Sequence, residues 1–227
     1  MNQDRVLEGF RVEAGALTRA MSGLSPAEWN LPTRCSPWSV LDLLGHVCVV
    51  IGWLPDMLNA PAPDEPEISA AEYYRPDDRF SPRTNESRIT LAKDRAAQAA
   101  DGAAFAEDFA TTWQRVDRLC QAQQADRTVR TRHGDAMLLS EFLLTRVVEV
   151  AVHGLDLADA LGREPWLTSS AADAVTELLL GTEHGTATDQ LGWNRTRFLR
   201  KATGREPLNA EEAAQVEQLG IRWLALG

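Results

Sequence analysis

Chemistry is first legible in Glu149 and His153. Four residues apart, they share a helix face and can aim a carboxylate oxygen and an imidazole nitrogen at one point, as metal sites require. The same pair also fits a core histidine hydrogen-bonded to a glutamate, because so short a pattern recurs by chance. Its surroundings sharpen the reading. Arg146, Glu149, His153 and Asp156 fall at i, i+3, i+7 and i+10, which is one narrow stripe. Leu143, Val147, Val150, Ala151, Val152 and Leu155 fill the rest of those turns and leave no broad wet face. A polar stripe on a helix that must be buried needs partners, since each unpaired buried polar group costs roughly 1–3 kcal/mol. His46 is the third candidate, set mid-way along a second apolar stretch. Asp42, four residues earlier, either orients its ring or belongs to the first helical turn. Two histidines and one carboxylate with an open position form a catalytic zinc pattern; iron and nickel fit the same donors. Such a metal lowers the pKa of a bound water towards about 7, or activates a thiolate.

These residues need elements to hold them. Val6, Phe10, Ala14, Leu17 and Met21 predict a first helix over 4–22. Ser25-Pro26-Ala27-Glu28 carries a capping-box signature. Ser36-Pro37-Trp38-Ser39 opens a second helix, with His46, that runs to about Leu58. Residues 59–87 hold Pro61, Pro63, Pro66, Pro76 and Pro82, which break regular structure. Tyr73, Tyr74, Phe80, Arg75, Arg79 and Arg83 suit a packed cover over the bundle. A third helix is expected over 88–122, with an interruption near Gly102. Thr128 to Thr131 alternates and His133-Gly134-Asp135 makes a turn, so a short hairpin precedes the next helix. Ser140 caps the fourth helix, 141–161, which ends at Gly162. Ser169 or Ser170 starts a fifth, ended by Gly181 to Gly185, so His184, like His133, is read as a loop histidine. A short helix over 191–201 and a last one from the Asn209 cap to Leu226 complete the chain.

Composition narrows the function. The 227 residues, 44% hydrophobic, suit one domain with a small appendage. A formal charge of −10 argues against phosphate-led nucleic-acid binding and against an anionic membrane surface. No membrane span is expected. Cys35, Cys48 and Cys120 are three and lack CxxC spacing, so they read as reduced thiols in the cytoplasm. Cys48, two residues beyond His46, should point away from it.

The segments from Thr33 to His46 and from Arg146 to Leu157 resemble the DinB/YfiT-like metalloprotein superfamily, and within it the mycothiol-dependent maleylpyruvate isomerase family. The stretch from Phe198 to Arg205 resembles a C-terminal segment of many members. The resemblance implies a mainly all-α protein. It would be a DinB-like four-helix bundle over 1–162, with the short hairpin before its fourth helix and a helical extension over 163–227 packed on it. It also implies a divalent metal, zinc in most members, on His46, Glu149 and His153, and mycothiol or a related low-molecular-weight thiol as cofactor. That thiol would be activated for S-transfer to, or isomerisation of, an electrophilic small molecule. Arg83 in the loop and Arg146 on the ligand face are the candidates to hold it. The family's isomerase has a mixed α/β C-terminal domain, whereas 163–227 reads as helices, which favours a transferase or another thiol-dependent activity. The alternatives are a hydrolase using metal-bound water and a non-catalytic binding or stress protein. The apolar stripe of the first helix serves a monomer or a homodimer equally.

Overall fold

A computed structural model describes residues 2–75, 81–180 and 184–221. Helix α1 (Gln3–Met21) starts at the Asn2 cap, and Val6, Phe10, Ala14, Leu17 and Met21 form its buried face as expected. The Ser25–Glu28 capping box starts the one-turn α2 (Pro26–Trp29). The second helix departs from expectation at both ends. It begins at Val40, where Ser39 is the N-cap and Asp42 closes a capping box. Asp42 is therefore a helix-start residue with both its bonds on Ser39. The Ser-Pro pair expected to open the helix precedes it, in a loop pinned by Thr33 to Trp38. The apolar run is then split at Trp53 into α3 (Val40–Gly52) and α4 (Leu54–Asn59). Pro55, with no N–H to give, occupies the first turn of α4, where none is needed.

The proline-rich segment is more ordered than its composition suggests. It holds α5 (Ala70–Tyr73), capped by Ser69 and Glu72, and α6 (Pro82–Ala96) starts inside it at the Ser81 cap. Tyr73 and Tyr74 are buried, as a packed cover requires, while Pro76, Arg79 and Phe80 lie outside the described residues. The interruption near Gly102 separates α6 from α7 (Gly102–Gln121). Gly45 of α3 meets α6 so closely that a Cβ there would overlap the Ala92 carbonyl oxygen.

Strands β1 (Thr128–Arg130) and β2 (Ala136–Leu138) pair antiparallel with Val129 opposite Met137, and Gly134 takes the positive-φ position of the turn. Helix α8 (Leu139–Ala160) follows with no gap. Its cap residue is Leu138 and not Ser140, because the Arg127 carbonyl takes the Leu139 N–H at 2.7 Å. Helices α1, α3, α7 and α8 form the four-helix bundle: α1 lies against α7 and α8, and α3 against the same two. The apolar stretch Val40–Asn59 has the length and hydropathy of a membrane span, but it lies within this bundle, 67% buried over its most apolar window.

Beyond Gly162 the described chain is helical. Helix α9 (Ser169–Leu180) packs on α1 and α8, and α11 (Arg195–Ala202), capped by Asn194, packs on α9 and α8. Between them α10 (His184–Leu191) begins at the residue expected to sit in a polar tail. Residues 181–183 lie outside the described residues, as do the side chain of His184 and residues 222–227. Helix α12 (Ala210–Gln218) has the Asn209 cap but stops at Leu219 and the positive-φ Gly220, short of Leu226.

Candidate metal centre and its cavity

The polar stripe of α8 is a chain of contacts. Arg146 Nη2 lies 4.0 Å from Glu149 Oε1, His153 Nε2 lies 3.4 Å from Glu149 Oε2, and His153 Nδ1 meets Asp156 Oδ2 at 3.0 Å. From α3, His46 Nε2 reaches the same Glu149 Oε2 at 3.2 Å. Trp38 stacks on the His46 ring at 4.8 Å and fixes its plane. His46, Glu149 and His153 thus bring three donor atoms within 4.8 Å of one another.

The arrangement fits a divalent metal. With metal–donor bonds of about 2.0–2.1 Å, donors at tetrahedral corners stand about 3.3 Å apart, close to the two distances from Glu149. Behind His153, Asp156 fixes the ring through Nδ1, and Arg205 holds Asp156 with bonds of 3.0 and 2.8 Å. A carboxylate in that place sets tautomer and basicity of a ligating histidine. Cys35, His153 and Asp156 form a second trio of similar span. Both oxygens of Asp156 are already bonded to Arg205, so the first trio is the better metal site.

Local charges set the protonation. Burial pushes the Glu149 carboxyl up, but hydrogen bonds from His153 and His46 outweigh it and hold it well below the usual range. Burial lowers His46 despite its bond to Glu149. Burial also acts to lower His153, yet its bonds to Asp156, Cys35 and Glu149 carry it well above the ordinary value.

The trio forms one wall of a cavity of about 590 Å³. Arg146 lines it and is almost wholly buried, yet two of its nitrogens are spent on Val50 O and Thr145 Oγ1. Its guanidinium lies 4.6 Å from the Phe142 ring centre. Arg83 is exposed in the first turn of α6 and is not a lining residue; Arg88, from the same helix, is. Sequence reasoning missed Arg34, Arg132 and Arg205, which reach the cavity from three separate loops. His133 lies in the hairpin turn, a loop residue as expected, and lines the cavity edge-on to Tyr73. Cys35, read as a plain reduced thiol, has its Sγ 3.3 Å from Asp156 Oδ2. Cys48 points away from the site as expected, towards Asp108, and burial pushes its thiol up to about 11.

Fold and site together define a four-helix bundle with a three-donor centre in the wall of its cavity. The chain belongs to the mycothiol maleylpyruvate isomerase N-terminal domain family, whose model matches residues 10–158. The fold is similar to the crystal structure of the mycothiol-dependent maleylpyruvate isomerase, with a TM-score of 0.56 at 16% identity over 82% of this chain and 73% of that one. A mutant of that isomerase gives 0.56 at 17% identity over 79% and 70%. No curated protein matches the sequence.

Proposed function

We propose that this protein is a divalent-metal enzyme that uses mycothiol or a related thiol to isomerise, or to conjugate, an electrophilic small molecule. The observation that carries this reading is the convergence of His46, Glu149 and His153 on one wall of a cavity otherwise rich in arginine and aromatic side chains. Those three residues would hold the metal, zinc in the first instance. Bound there, the metal would favour the thiolate at neutral pH, and the thiol would supply the nucleophile for addition to an electrophilic carbon.

The chain's own residues do the rest. Asp156, held by Arg205, keeps His153 oriented, and Trp38 does the same for His46. The cavity volume suits a ligand of a few hundred daltons, for which about 300–1,000 Å³ is usual. Ser36, Arg34 and Arg205 line it and offer donors to a hydroxyl-rich thiol. Arg132, another lining residue, lies 4.5 Å over the Trp53 ring and has no carboxylate partner among the described residues. Burial and then the nearby Arg88 and Arg146 lower its pKa, a balance that an anionic group on the electrophile would relieve. The family match supports isomerisation. S-transfer is the second reading, favoured because residues 163–221 contain no strand where they are described. We take 1–162 as the catalytic unit and 163–227 as an extension packed on it, supported by the extent of the match and the packing of α9 and α11. Three free cysteines suit a reducing, cytoplasmic setting.

The test is elemental analysis of the wild type beside His153→Ala, followed by mycothiol titration and turnover with maleylpyruvate and a chloronitrobenzene. Near-stoichiometric metal in the wild type alone, with saturable thiol binding that depends on it, is the expected result. A wild type that stays metal-free when zinc is offered would make the trio a hydrogen-bonded core cluster and overturn the reading.

A further inference from the structure

The three donors belong to the bundle, but the carboxylate that orients one of them is held from outside it. Asp156 is 0% exposed, so its bonds must come from the protein. Its Oδ2 meets His153 Nδ1 at 3.0 Å, Arg205 Nη2 at 2.8 Å and Cys35 Sγ at 3.3 Å, while Oδ1 meets Arg205 Nε at 3.0 Å. Arg205 thus engages both oxygens with one planar guanidinium, and such a fork fixes the plane of a carboxylate. Arg34 is no substitute, because its Nε stands 3.9 Å from Oδ1. Its other two nitrogens donate to the carbonyls of Arg205 and Gly204 at 2.8 and 3.2 Å, which pins the turn that carries Arg205.

A second fork joins the same extension to the same helix. Arg200 Nη1 and Nη2 meet Asp159 Oδ2 and Oδ1 at 2.6 and 2.5 Å. That pair is partly exposed and bonds to none of the three donors among the described residues. Two forks of one chemistry therefore tie the extension to α8, and only the inner one leads to a donor.

On the metal-binding reading of His46, Glu149 and His153, we propose that Arg205 is a positioning residue of the centre. By fixing the plane of Asp156 it fixes the His153 ring, so the C-terminal extension governs the affinity of a centre whose donors all lie in the bundle. Without Arg205, Asp156 keeps only His153 and the weak Cys35 donor, and it must swing to find replacements. The ring is then released with it.

The experiment compares the full-length wild type with Arg205→Gln, Arg205→Lys and Arg200→Gln. Zinc affinity is measured by competition with a chromogenic chelator, and the His153 Nδ1–H proton is followed by NMR of histidine-labelled protein. Arg205→Gln should weaken zinc about 10- to 100-fold and lose the Nδ1–H signal to solvent exchange. Arg205→Lys keeps the buried charge, which guards against loss of the fold, but gives up the fork; it too should weaken zinc and quicken exchange. Arg200→Gln loosens the extension without touching the centre and should stay within about twofold of the wild type. Wild-type affinity and exchange in either Arg205 variant would overturn the proposal. An equal loss in Arg200→Gln would do the same, since the role would then be structural. A wild type that takes up no zinc would sink the metal reading itself, and it is told apart from those outcomes because in them the wild type binds.

Discussion

Two glutamates, one on α8 and one packed behind it from α1, have their carboxyls shifted in opposite directions. Glu149 projects from α8 into the cavity, and Glu13 reaches the back of α8 from α1. Burial raises the carboxyl of each. Around Glu149 stand His46, His153 and Arg146, and they more than reverse that rise. Around Glu13 only the neutral donors of Thr168 oppose it, and the carboxyl settles near 7. The lesson is that burial alone does not set the protonation of a carboxyl; the sign of its neighbours does.

The contrast can be broken at either end. The largest effect is expected from His153→Ala, which removes one of the three proposed metal donors and the main hydrogen bond that opposes burial at Glu149. Metal retention should fall by more than about 100-fold by elemental analysis, with the helical circular dichroism retained. Next is Glu13→Gln. Because the folded state raises this pKa, it binds the proton more tightly than the unfolded chain between 4.5 and about 7. Stability is therefore whole below that window and falls as pH rises through it. Denaturant titrations should show the stability of the wild type relative to the variant falling by at most about 3 kcal/mol across the window. Asp156→Asn leaves Glu149 in place but frees the His153 ring and breaks the charge pair with Arg205. Metal affinity should drop by about 10- to 100-fold in competition with a chromogenic chelator, and Tm less than in any core truncation. The smallest effect belongs to Arg132→Gln, which asks whether the charge pattern on Glu149's side extends to substrate. KM for an anionic electrophile should rise about tenfold while that for a neutral one holds, as the loss of one charged hydrogen bond predicts.

How much of this was legible depended on whether the signal was local. The α8 stripe could be read because helical periodicity places Arg146, Glu149, His153 and Asp156 together without help from the rest of the chain. His46 was legible as a polar residue on an apolar helix, the turn at Ser25 as a capping box, and Asn209 as a helix cap. The break at Trp53 was also in the sequence, as Pro55, but a continuous apolar run masked it. Arg34, Arg132 and Arg205 were not legible, since they come from loops and converge only after the bundle and its extension have packed. Arg83 shows the reverse error: it has the right type in the right segment, but the helix that starts at Pro82 turns it outward. Glu13 left a fainter trace, a charge set between Phe10 and Leu17 on the buried face of α1.

The close approach of α3 and α6 at Gly45 separates two demands that most cavity walls must satisfy at once. Helix α6 buries little beyond Ala92 and Ala96, and it is held near α3 by backbone proximity where a side chain cannot fit. Its anchorage is thus concentrated in the second half of the helix. Asn85, Arg88 and Ile89, which face the cavity, lie in the first half. Over evolutionary time the selectivity of this wall can be rewritten at those three positions without renegotiating the core, so long as Gly45 stays glycine.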